Sequence, residues 1–193
     1  MGHIGCTSFY PSKNLGAYGD AGAIMTNDDA LGKRLTVMVN HGMDRRYYHD
    51  DIGVNSRLDS FQAVVLGAKL KRLDAYNGRR KEAADRYDAL LSDVEQIKLP
   101  SRAGNSTHVF HQYTLRVKDR AGLAAYLSEH GIPNMIYYPV PVHQQKAYAE
   151  WYEGEDLSLT EHLCDEVLSL PMHSELTADD QEFIAEKIKE YYK

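Results

Sequence analysis

The sequence predicts an α/β chain, and three observations carry that prediction. Short apolar runs of strand length stand apart from stretches whose apolar residues recur at helical spacing. Cap and turn residues, among them Asn27-Asp28, Gly53, Gly131, Pro133 and Thr177, punctuate the junctions. From residue 97 onward, strand and helix patterns alternate over a length that can support a core of its own.

Residues Gly5 to Phe9 are strand-like and lead into a loop rich in glycine. Ala21 to Thr26 is a second short apolar strand, closed by Asn27-Asp28 as a helix cap. Asp29 to Asn40 places Leu31, Leu35, Met38 and Val39 at helical spacing. Residues 41–56 read as loop. A long helical pattern follows, with Asp59 able to cap it. Leu66, Leu70, Leu73 and Tyr76 form one face, and Tyr87, Leu90, Leu91 and Val94 continue it. Asn77-Gly78 marks an expected kink or break. Val109 to Val117 is the best strand candidate of the second half. Gly122 to His130 is helical and stops at Gly131, with Pro133 just beyond. Asn134 to Tyr138 reads as a strand, and Leu159 to Leu168 as a helix with Thr160 as a possible cap. Thr177 to Asp180 starts the last helix, whose apolar face is Phe183, Ile184, Ile188 and Tyr191.

Composition narrows the function classes. At 193 residues the chain holds one domain, or one and part of another. A 43% hydrophobic and 26% charged content suits a packed core with a solvated surface. The formal charge of −6 gives no electrostatic footprint for nucleic acid or an anionic membrane. No apolar run reaches the length of a membrane span, and no signal peptide opens the chain. Cys6 and Cys164 have neither metal spacing nor a disulfide framework, and Cys6 is expected to be small and buried. The nine histidines fall at no ligand spacing, so no metal site is predicted. The expected location is the cytoplasm.

Lys13 carries the chemistry. It lies in Ser8-Phe9-Tyr10-Pro11-Ser12-Lys13-Asn14-Leu15-Gly16, followed at once by Gly19-Asp20 and Gly22. Taken alone, a lysine beside glycines is a surface loop residue. Held on a constrained loop and partly desolvated, its amine can lose a proton and attack a carbonyl. That is the chemistry of a Schiff-base lysine, whose usual partner is pyridoxal phosphate.

The whole run from Ser8 to Gly22 closely resembles the cofactor-lysine segment of the DegT/DnrJ/EryC1/StrS family, sugar aminotransferases of the fold-type I pyridoxal phosphate superfamily. Gly53-Val54-Asn55-Ser56-Arg57-Leu58-Asp59 resembles a second family signature. Asn40-His41-Gly42, His111-Gln112-Tyr113, Tyr137 to His143 and Leu170-Pro171-Met172-His173 follow in family order. The resemblance implies that Lys13 is the catalytic residue and carries the cofactor. It implies that Ser8 contacts the cofactor phosphate and that Asn55 reaches the phosphate of a neighbouring subunit, in a homodimer with shared sites. Tyr138, His143 and Arg57 become candidate substrate contacts. His143 could equally cap the turn after Pro139-Val140-Pro141, and Arg57 could equally pair with Asp59 or another acid.

The fold implied is the C-terminal portion of a fold-type I transferase. Residues 1–75 would be the end of the large cofactor domain and the start of the linking helix, and 76–193 the small α+β domain. The substrates implied are a nucleotide-linked keto sugar and an amino-acid donor, glutamate by family habit. The family's phosphate-cradling helix N-terminus, ring-stacking aromatic and pyridine-pairing aspartate precede the matched region, so this reads as a truncated chain with weak activity by itself. A catalytically inactive fragment or a partner-dependent subunit is the alternative reading. A dehydratase of the same family would carry histidine in place of Lys13, which argues against it.

Overall fold

A computed structural model describes residues 2–193. The described chain divides into two compact units, one ending at Asp74 and one running from Ala75 to Lys193.

The first unit opens with an antiparallel pair, β1 (Gly5–Ser8) and β2 (Gly22–Met25), in which Gly5 faces Met25 and Ser8 faces Gly22. The loop between them holds Lys13. All four β1 positions are exposed, Cys6 among them, so the expectation of a buried Cys6 is corrected: Cys6 lines a cavity, which it shares with Leu35 and Val39, rather than a packed core. Helix α1 (Asp29–Val39) starts where the cap signal placed it. The Asp28 carboxylate accepts from the amides of Ala30 and Leu31 at 2.9 and 3.0 Å. Residues 41–56 are not all loop. Strands β3 (Met43–Arg45) and β4 (Tyr48–His49) form a short hairpin with an irregular register, too brief to show a period-two pattern. Helix α2 (Ser60–Leu70) follows Asp59, which stands at the N-cap position without a side-chain capping bond.

Helix α3 (Leu73–Leu91) corrects the expected break. The interruption lies at Lys71-Arg72, and Asn77-Gly78 sits inside continuous helix. Tertiary packing of Ala83, Ala84, Tyr87 and Leu91 holds the helix together across the weak dipeptide. A Cβ added at Gly78 would meet nothing within 4 Å. Gly78→Ala is therefore expected to stabilise the protein by about 0.5–1 kcal/mol, through lower backbone entropy in the unfolded chain. A raised denaturant midpoint at unchanged slope is the signature.

The second unit continues with β5 (Ile97–Lys98), β6 (Tyr113–Val117), α4 (Arg120–Glu129), α5 (Ser158–Glu166), β7 (Val167–Leu170) and α6 (Ala178–Tyr191). Its sheet is antiparallel in the order β5-β6-β7, with Tyr113 opposite Leu170 and Leu115 opposite Leu168. Alternate β6 residues Tyr113, Leu115 and Val117 are buried, and α3, α4 and α6 supply Tyr87, Leu123, Leu127, Ile184 and Ile188 to the same core. The buried polar side chains Arg80, Ser169 and Gln181 are each hydrogen-bonded. Gln181, fully enclosed, donates to Ala83 O and accepts from Arg86, both at 2.7 Å.

Three second-half expectations are corrected. The strand expected from Val109 begins only at Tyr113. Phe110 adopts a left-handed φ of 44° and its carbonyl accepts from buried Arg80 at 3.0 Å, so the ladder cannot include it. Residues 134–138 form one isolated bridge, Met135 to Ser169, rather than a strand. Pro133 and Pro139 flank the segment and donate nothing to a ladder, and Asn134 turns its amide to Ala124 O and Ser128 Oγ. The helix expected to reach Leu168 stops at Glu166, because Leu168 and Leu170 gain full burial by pairing with β6. Thr160 caps nothing; Asp156 accepts from the Ser158 amide at 3.0 Å instead. The last helix starts with a complete capping box between Thr177 and Asp180.

Candidate active site

The Lys13 loop is built from its own backbone. The Phe9 amide donates to Ala21 O, the Lys13 amide to Tyr10 O and the Ala17 amide to Phe9 O, each at 2.8 Å. Gly16 is required at its position. A Cβ there would stand 2.4 Å from Pro11 O, so only glycine lets the two backbone segments approach. Ala17 is fully buried, and Lys13 is half-buried. Ser8 ends β1 with an exposed side chain. Its Oγ accepts from the Tyr10 amide at 3.2 Å, which leaves the hydroxyl hydrogen to donate outward.

Helix α2 reaches back to this loop. Lys69 Nζ donates to Gly16 O at 2.7 Å and lies 4.5 Å from the Tyr18 ring centroid. The Tyr18 amide donates to Gln62 Oε1 at 2.8 Å. Sequence reasoning passed over both side chains. Their spacing of seven residues, two helical turns, puts them on one face, and that was the sole signal available.

Asn55 is positioned by the backbone on either side of it. The Val54 amide donates to Met38 O at 2.8 Å and the Ser56 amide to Val39 O at 3.0 Å, tying the segment to the end of α1. Asn55 and Arg57 line one cavity of about 960 Å³, together with Cys6, Thr7, Asp20 and Ala23. Arg57 is exposed there, and the ion pair with Asp59 that the sequence allowed is not formed among the described residues. Ser8, Lys13, Asn55 and Arg57 thus all belong to the first unit.

Tyr138 and His143 belong to the second unit. Tyr138 is 71% exposed. His143 Nε2 lies 2.9 Å from Glu161 Oε1, and Gln144 donates to the same oxygen at 2.9 Å. Those two hydrogen bonds hold the Glu161 carboxyl below its ordinary range. The His143 ring also meets Tyr152 at 4.9 Å, beside a hollow lined by Tyr148, Trp151 and Leu157. Its side chain is 9% exposed, so the histidine is held against Glu161. Among the described residues no group of three or more histidines, cysteines or carboxylates could hold a metal ion, and no helix is long and apolar enough to cross a membrane.

The model of the DegT/DnrJ/EryC1/StrS aminotransferase family matches residues 1–189. The chain belongs to that family. A Geobacillus stearothermophilus protein named pleiotropic regulatory protein is 42% identical to it, over 100% of this chain and 53% of that one. A UDP-N-acetyl-3-dehydro-alpha-D-glucosamine 3-aminotransferase of Acidithiobacillus ferrooxidans is 44% identical, over 98% of this chain and 51% of that one. Among solved structures, S. venezuelae DesV in complex with a ketimine intermediate overlays with a TM-score of 0.94 at 38% identity, covering 100% of this chain and 52% of that one. NtdA from Bacillus subtilis with bound cofactor PMP overlays with a TM-score of 0.89 at 30% identity, covering 98% of this chain and 46% of that one. The chain therefore spans about half the length of the curated relatives it matches. The mixed α/β fold expected from the sequence agrees with these neighbours.

Proposed function

We propose that this family member serves a pyridoxal phosphate-dependent aminotransferase that moves an amino group from an amino acid, glutamate by family habit, to a nucleotide-linked keto sugar. The observation that carries the reading is the half-buried Lys13 on a backbone-braced loop, inside a match that spans the chain. The donor set fits the cofactor: one primary amine for its aldehyde, and the neutral hydroxyl and amide of Ser8 and Asn55 for its phosphate dianion. Bound there, pyridoxal phosphate supplies an aldehyde that captures amines and a ring that accepts the electrons released when a proton leaves the substrate carbon.

The side chains then divide the work. Lys13 Nζ holds the cofactor, and once freed it takes and returns the proton at the substrate carbon. Ser8 Oγ–H donates to the phosphate while its oxygen stays engaged with the Tyr10 amide. Asn55 Nδ2–H donates to phosphate across a homodimer, which makes the site shared. Arg57 offers a forked guanidinium to a carboxylate or phosphate. Tyr138 and His143 meet the sugar nucleotide, with His143 steadied by Glu161. The domain division that goes with this reading is 1–75 and 76–193, and the location is the cytoplasm.

Turnover with glutamate and a panel of nucleotide-linked keto sugars tests the proposal. The expected result is 2-oxoglutarate formed one-for-one with an amino sugar. A keto sugar that loses water and gains no nitrogen would point to a dehydratase instead. Cofactor held on Lys13 with no amino transfer to any sugar would favour the partner-dependent subunit.

A further inference from the structure

We propose that Gln62 and Lys69 are positioning residues that clamp the Lys13 loop onto α2 and so set where the Lys13 amine stands. The inference rests on the reading of Lys13 as the Schiff-base lysine. Both contacts converge on the segment just after it. Lys69 Nζ takes Gly16 O, three residues beyond Lys13, at 2.7 Å. Gln62 Oε1 takes the Tyr18 amide, five residues beyond, at 2.8 Å. The Tyr18 ring closes the clamp from its other side, 4.5 Å from the Lys69 ammonium.

The loop backbone is bound directly to α2 by both contacts. Its internal bonds, Lys13 to Tyr10 and Ala17 to Phe9, shape the turn without fixing its direction. Of its side chains only the Ala17 methyl is fully enclosed, while Tyr10 and Tyr18 are 54% and 70% exposed. Two polar contacts, one of them charge-assisted, thus tie the loop to the helix. A reacting amine displaced by about 1 Å loses on the order of 100-fold in rate, so contacts that hold the loop also hold the chemistry. Gln62 and Lys69 both stand half-buried on α2, and each spends its polar end on the backbone of that one loop.

The test uses the 193-residue chain and two readouts that need no turnover. One is hydrogen exchange at the Lys13 and Ala17 amides. The other is the ratio of Lys13 to Lys33 modification after incubation with pyridoxal phosphate and borohydride reduction, read by peptide mass spectrometry. Lys33, a 72%-exposed side chain of the same unit, serves as the internal reference. Lys69→Met and Gln62→Leu should each speed exchange at both amides about tenfold and lower the Lys13/Lys33 ratio. Lys69→Arg keeps a cationic donor over the Tyr18 ring and should restore both. β6 amides should exchange as before, showing that the chain still folds. Unchanged exchange and ratio in both variants would overturn the proposal. Faster exchange with an unchanged ratio would overturn it too, because the clamp would then order the loop without placing the amine. If the native chain itself modifies Lys13 no better than Lys33, the Lys13 reading fails, and that failure appears before any substitution is made.

Discussion

Lys13→Ala is expected to abolish the specific pyridoxal phosphate adduct at this position, leaving only background labelling of exposed lysines such as Lys33, and with it any amino transfer. The amine is the one atom of the loop that can bond to an aldehyde, and no neighbour can replace it. Lys69 is committed to Gly16 O and the Tyr18 ring, and Lys33 lies on α1 beside Asp44 at 3.5 Å. The substitution removes both the covalent tether and the proton carrier, and the proton-carrying role by itself contributes about 100- to 10,000-fold in rate. The backbone bonds that close the turn do not involve the Lys13 side chain, so the turn itself should survive the substitution. Borohydride trapping followed by peptide mapping reads the adduct. A variant that still carries the cofactor on another lysine, with turnover intact, would remove Lys13 from the mechanism.

What could be read from the sequence was local. The α1 cap at Asp28 and the start of the last helix at Thr177 to Asp180 are each contained within four residues, and both helices begin where read, the second with a capping box that the structure adds. The Lys13 motif is equally local: its turn is closed by bonds from Lys13 to Tyr10 and from Ala17 to Phe9. What escaped was decided by residues distant in sequence. Leu168 leaves a helical pattern because Leu115, more than fifty residues earlier, offers it a buried β partner. Phe110 leaves a strand pattern because Arg80 claims its carbonyl. Lys69 and Gln62 looked like ordinary solvated positions on α2, and their contacts to Gly16 and Tyr18 span 53 and 44 residues. No periodicity records such pairings. The candidate site is thus legible in its motif and illegible in its supports.

Gly42→Ala should show how much Asn55 depends on such support. Gly42 has φ of 71°, and a Cβ there would lie 1.8 Å from Asp51 O. Its amide donates to Val37 O at 2.9 Å and its carbonyl accepts from the Asp50 amide at 3.2 Å, so the residue cannot move away without losing both. Forcing a methyl into this contact costs about 1–3 kcal/mol in overpacking, and the left-handed backbone adds strain of order 1 kcal/mol. The first unit is poorly placed to absorb it, because among its described residues the fully or nearly buried apolar side chains are Ala17 and Leu66. The local response should be release of residues 41–56 from the end of α1. The Val54 and Ser56 amides, bonded to Met38 O and Val39 O, should then exchange at least about tenfold faster, since each 1.4 kcal/mol is a factor of ten. β6 amides of the other unit should be unaffected. With Asn55 no longer held, cofactor phosphate should be retained less well while Lys13 still forms its adduct, which separates this variant from Lys13→Ala. Native exchange at Val54 and Ser56 in Gly42→Ala would mean that the hairpin is not what positions Asn55.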